Sequence, residues 1–161
     1  MRADHPNLTS DNRSLTRVTF ELGESNWHGY ETESVWAASL GDGRYRIENV
    51  PFYACGVSYD DIVVAKPKDG LLIVQEVAER GGHSTYRVIL NRYTTDDEFK
   101  AAWEKIESLG CTYERATERL LAIDVPPEAD IYAVYAALEE GEKVGVWDFE
   151  EAHCGHPLRP S

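Results

Sequence analysis

The stretch Thr95-Asp96-Asp97-Glu98-Phe99-Lys100-Ala101-Ala102-Trp103-Glu104-Lys105-Ile106 decides the fold. Thr95 followed three residues later by Glu98 is a capping box, in which the hydroxyl accepts from the N3 amide while the carboxylate reaches back. Phe99, Ala102, Trp103 and Ile106 recur at helical spacing, and Gly110 supplies a stop. Upstream, Tyr86, Val88 and Leu90 alternate as a strand. Downstream, residues 111–117 and 120–124 read as two strands around the tight turn Thr117-Glu118-Arg119. Pro126-Pro127 ends the second and stands at the start of another helix, where Ile131, Val134, Tyr135 and Leu138 share a face before Gly141. Residues 144–149 close the series. Strand, helix, strand, strand, helix, strand is the ferredoxin-like βαββαβ order, predicted here for residues 83–150. Each helix has one apolar stripe, so both are expected on one face of a four-stranded antiparallel sheet, with Trp103 and Tyr135 buried there.

Residues 15–82 carry a different period. Val18, Phe20 and Leu22 alternate with Thr19 and Glu21, giving a half-buried strand. Gly41-Asp42-Gly43 is a hairpin turn between strands at 32–38 and 45–49. Pro67-Lys68-Asp69-Gly70 is a second turn between an apolar run at 62–65 and a strand at 71–78. Short strands with such close turn signals predict a small, antiparallel, β-rich and barrel-like unit. The chain is therefore expected to be α+β, with a disordered arm at 1–14, the β-rich unit, the ferredoxin-like unit and a tail at 151–161. The boundary falls near Gly81-Gly82, and no Ser/Gly linker separates the units, so they are expected to pack together.

The chain has 161 residues, 42% of them hydrophobic and 28% charged, which suits a folded protein. No apolar run approaches the roughly 20 residues that span a bilayer. The first fourteen residues lack the apolar region of a signal peptide, so a cytoplasmic location without membrane contact is expected. The formal net charge is −13. That charge opposes binding to phosphate backbones, so nucleic acid is not an expected partner, whereas a basic protein is. Cys55, Cys111 and Cys154 are odd in number and form no CxxC pair, so neither a disulfide framework nor a zinc ribbon is indicated. Phosphate-loop, dinucleotide, zinc-protease and nucleophile-elbow motifs are absent from the sequence. No cofactor is expected.

Three stretches hold the candidate site residues. Trp27-His28-Gly29-Tyr30-Glu31-Thr32-Glu33-Ser34-Val35-Trp36 gathers a histidine, a tyrosine and two carboxylates. In a strand Glu31 and Glu33 point to one face, so with His28 they could hold a metal or act as acid and base, or simply meet Arg44 and Arg46 across the hairpin. Gly81-Gly82-His83-Ser84-Thr85-Tyr86-Arg87 frees the backbone to turn, and places His83 or Thr85 to act with Glu31 or Glu33 across the sheet. His83 and Ser84 are adjacent in an extended strand and point opposite ways, which argues against a Ser–His pair. His153 and His156, flanking Cys154, are metal-ligating types three apart, but Gly155 and Pro157 deny them a helical frame.

The first stretch, with Asn49-Val50-Pro51-Phe52-Tyr53, Gly56-Val57-Ser58-Tyr59-Asp60-Asp61 and Gly82-His83-Ser84-Thr85, resembles an uncharacterised, mainly actinobacterial domain-of-unknown-function family of the DUF4265 type. The resemblance covers roughly residues 17–150. It implies a stand-alone bacterial cytoplasmic protein, and draws attention to Glu33, Trp36, Asn49, Phe52, Tyr53, His83 and Thr85 as ligand-contacting positions. It carries no reaction. Two functions are weighed. One is an acidic binding or accessory protein, immunity- or regulator-like, that meets a basic protein or a small-molecule ligand. The other is a small hydrolase or metal-dependent enzyme built on His28, Glu31, Glu33 and His83. The first is preferred because the catalytic motifs are missing. If Glu33, Tyr53 and His83 line one concavity, a shared ligand site is the better reading of this half.

Overall fold

The computed structural model describes residues 2–4, 15–23 and 28–159. Residues 5–14 of the expected arm, and Trp27, lie outside them. The chain is α+β. Its first unit contains β1 (Arg2–Asp4), β2 (Leu15–Glu21), β3 (Thr32–Gly41), β4 (Arg44–Ile47), β5 (Ile62–Lys68) and β6 (Leu71–Glu79). β2 pairs antiparallel with β3, β3 with β4, β4 with β5 and β5 with β6. β6 then returns to β2 in parallel through Thr19 and Ile73. A wholly antiparallel arrangement was expected. A parallel pair needs a long connection, and three intervening strands provide it. Val18, Phe20, Val35, Ala37, Ile47, Val63 and Ala65 fill the interior.

Two local expectations for this unit fail for identifiable reasons. Arg2–Asp4, assigned to a disordered arm, pairs in parallel with Thr32–Ser34. β4 reaches only the far end of β3, which leaves backbone groups of Thr32–Ser34 open to another strand. The second turn is shorter than its four-residue signal. Asp69 (φ 51°) and Gly70 (φ 82°) make it alone, as Asp42 (φ 55°) and Gly43 (φ 74°) make the first. Pro67 and Lys68 stay in β5 opposite Leu72 and Leu71, beyond the reach of β4, where an absent N–H breaks no ladder.

The second unit runs β7 (Ser84–Leu90), α1 (Asp96–Glu107), β8 (Thr112–Arg115), β9 (Leu120–Val125), α2 (Ile131–Lys143) and β10 (Trp147–His153). Its sheet has the order β10-β7-β9-β8, antiparallel throughout. The capping box at Thr95 and Glu98 forms, and Asp130 caps α2 by accepting from the amides of Tyr132 and Ala133. Trp103 and Ile106 of α1 share a core with Val134 and Leu138 of α2 and with Tyr86, Val88, Leu121, Ile123 and Trp147 of the sheet. Both helices thus cover the same face.

Tyr135 departs from expectation. It is 43% exposed and rests edge-on against Phe149 at 5.4 Å, because a phenol can cover an apolar rim while its hydroxyl stays wet. Gly141 does not stop α2. It lies inside the helix against the Trp147 indole, where an added Cβ would sit 2.5 Å from Cε2. Gly145, at φ 85°, follows the cap and makes the turn instead. The closing strand consequently begins at Trp147 and runs to His153, so residues 151–153 belong to the sheet rather than to a tail.

The opposite face of this sheet meets the first unit. Leu120 and Ala122 of β9 pack on Val50, Phe52 and Tyr53, which belong to the long connection between β4 and β5. That connection is the joint of the molecule.

Candidate functional site

A connection buried between two sheets must satisfy its own backbone amides. Three carboxylates do much of this. Glu33, 0% exposed, accepts from the amides of Phe52 (2.6 Å), Tyr53 (2.9 Å) and Ala54 (2.8 Å). Asp61 accepts from the amides of Ser58 (2.9 Å) and Gly81 (2.8 Å) and from Arg80 Nη1 (3.1 Å). Glu114, on β8, accepts from the Val50 amide and from Asn49 Nδ2 at 3.1 Å. Asn49 Oδ1 accepts in turn from the Trp36 amide at 2.7 Å.

Arg87 projects from β7 into this joint and is only 3% exposed. Nη1 donates to the Phe52 carbonyl at 2.7 Å, and Nη2 to Cys55 Sγ at 3.0 Å. Nε lies 3.0 Å from Glu150 Oε1 as an ion pair, out of line for a hydrogen bond. Beside it opens a cleft of about 510 Å³, lined by Phe20, Glu21, Leu22, Gly23, His28, Tyr53, Ala54, Cys55, Arg87 and Glu150. Its size is that of a small-molecule site.

Aromatic rings build one wall. His28 leans on Tyr53 at 4.4 Å with the rings tilted by 42°, and Tyr53 in turn stacks on Tyr30 at 4.7 Å. His28 Nδ1 accepts from the Tyr30 amide at 3.0 Å, so a neutral ring carries its proton on Nε2. Burial and the Arg87 charge hold the His28 pKa below the ordinary 6.5, against the pull of Glu33 and Glu150. Burial, then Tyr30 and Glu33, push the Tyr53 hydroxyl up to about 12. Both rings are therefore neutral at pH 7.

The expected constellation of His28, Glu31, Glu33 and His83 does not form. Glu31 lies outside β3 and is exposed, whereas Glu33 is sealed beneath the connection. The expected partners Arg44 and Arg46 pair with Glu79 and Asp60 instead. His83 does not line the cleft; Nδ1 is 2.8 Å from Asp124 Oδ1, and its ring meets Tyr59 edge-on at 5.2 Å. Burial opposes a charged His83. The hydrogen bond and charge of Asp124, with Asp60 and Glu128 behind it, prevail and raise its pKa. Thr85 bonds to the Ser58 hydroxyl at 2.6 Å rather than to a glutamate.

Of the expected binding residues, Tyr53 alone joins His28 in the cleft. Asn49 and Phe52 shape the connection, and the Trp36 ring packs under Arg17 at 4.7 Å. His153 and His156 are not paired for a metal. His156 places Nδ1 2.6 Å from Ser84 Oγ and donates from Nε2 to the Pro126 carbonyl at 2.8 Å, so both nitrogens are engaged. Burial and the charge of Arg80 lower the His153 pKa. Among the described residues, no three metal-ligating side chains converge. The sequence reading missed Arg87, Cys55, Glu150 and Glu21. Arg87 had a signal: Thr85, Arg87 and Ile89 form the second face of a strand whose first face is already apolar.

A family model described as a domain of unknown function (DUF4265) matches residues 33–149, and the chain belongs to that family. No curated protein matches. Among solved structures, the chain is similar to a hypothetical protein from Neisseria gonorrhoeae, with a TM-score of 0.75 and 19% identity over 90% of this chain and 99% of that one. At that identity the likeness speaks to the fold alone.

Proposed function

We propose that this is an acidic, cytoplasmic binding or accessory protein, bacterial and immunity- or regulator-like, that holds its ligand in the cleft at the joint. The cleft itself carries this reading. It is concave, of ligand size, walled by the packed rings of His28 and Tyr53 and floored by a guanidinium that hydrogen bonds fix in place. The enzyme alternative loses its support, because Glu33 is committed to three amides and His83 to Asp124. We read the ring of strand pairings in the first unit as a small barrel, and the β10-β7-β9-β8 order of the second as ferredoxin-like. In this reading each fold supplies one side of the cleft. The test uses thermal shift against a panel of small polar compounds, repeated after Cys55 is blocked with a maleimide in a Cys154→Ser background. Stabilisation by a compound, lost on blocking, is expected. Stabilisation that survives blocking would move the site elsewhere.

A further inference from the structure

We infer that a second cleft, at the β8–β9 hairpin end of the second unit, binds a phosphoryl group carried on a small molecule. This cleft measures about 340 Å³. It is lined by Arg92 from the connection before α1, Arg115 at the end of β8 and Arg119 from the turn before β9. In a chain of net charge −13, three guanidiniums on one cleft reverse the local sign of charge. Arg44, Arg46, Arg80 and Arg87 each meet a carboxylate. Among the described residues, Arg92, Arg115 and Arg119 have none at ion-pair distance, although Asp96 and Glu118 line the same cleft. Backbone carbonyls hold two of the three instead. Arg119 Nε donates to the Leu90 carbonyl at 2.8 Å. Arg115 Nη1 donates to the Glu118 carbonyl at 2.7 Å, and its guanidinium lies 5.7 Å from the Phe99 ring centre. These bonds orient the forks while leaving both charges uncompensated and other N–H donors unused. Phosphoryl oxygens point several ways and can meet donors from three segments at once, whereas a planar carboxylate is met by one fork. The α1 N-terminus beside them contributes little, since Thr95 and Glu98 cap it and its first turn carries Asp96 and Asp97.

Calorimetric titration of the full chain with pyrophosphate, and with succinate as a carboxylate control, tests this. Pyrophosphate is expected to bind saturably and succinate much more weakly. Arg92→Gln and Arg115→Gln should each weaken pyrophosphate binding about two- to fivefold. Arg92 has no hydrogen bond or ion pair within the described residues, so its loss is not explained by a damaged fold. Lys66→Gln and Lys143→Gln make the same charge change at exposed sites away from the cleft, and should leave binding as it was. Maleimide on Cys55, in the Cys154→Ser background, should leave it unchanged as well, since the two clefts share no lining residue. The inference is overturned if pyrophosphate does not bind, if succinate binds as tightly, or if the lysine variants weaken binding as much as the arginine variants. Loss of pyrophosphate binding on blocking Cys55 would also overturn it, by moving the anion to the joint.

Discussion

Glu33 shows how a residue chosen for chemistry can serve structure. A carboxylate at 0% exposure is costly, and three amides at 2.6–2.9 Å offset that cost. Glu33→Gln would turn an N–H₂ group toward donors and should destabilise the fold by about 3 kcal/mol or more, read from urea unfolding. An unchanged midpoint would mean that the connection holds without it. Gly141 gives a second test. Gly141→Ala gains helix propensity of about 1 kcal/mol, but its Cβ would press on Trp147. A net loss of about 1–3 kcal/mol is expected from overpacking, whereas a gain would show that the indole can yield.

At the scale of elements, α1 rests on the sheet through Trp103 and Ile106. Trp103→Ala should cost about 3–5 kcal/mol. A loss below about 1 kcal/mol would contradict that packing. The turn that opens β7 carries the pH dependence. His83 faces Asp124 from β9, Asp60 from the connection and Glu128 from the turn before α2. Its folded pKa is raised, so its contribution is full below the unfolded value near 6.5 and is lost as pH climbs through the folded value. His28 and His153, both lowered, act oppositely: their contribution is lost as pH falls. Comparison with His83→Gln isolates the first effect. Between about pH 6 and pH 9 the wild type should lose more stability than the variant; equal slopes would show that the pair adds nothing.

For the whole molecule, much of the fold follows from local rules. The Thr95 capping box, the Asp42-Gly43 turn and the alternation of Tyr86, Val88 and Leu90 depend on a few neighbouring residues, and each is legible in the sequence. What was not legible depends on distant residues. Gly141 is helical because Trp147 needs the space, and β1 is a strand because β3 leaves an edge open. The site divides in the same way. His28 and Tyr53 stood out by composition, but Arg87 and Glu150 reach the cleft only because β7 and β10 turn their second face toward the first unit. Glu33 and His83 stood out equally and have other partners.

The central claim is that the joint between the units is where this protein binds. It is tested most directly by mapping ¹⁵N amide shifts of the full chain during titration with a compound from the polar panel that raises its melting temperature. The account predicts saturable shifts clustered at residues 20–23, 53–56, 87 and 150. Shifts gathered instead between α1 and α2, or a panel in which no compound binds, would contradict it.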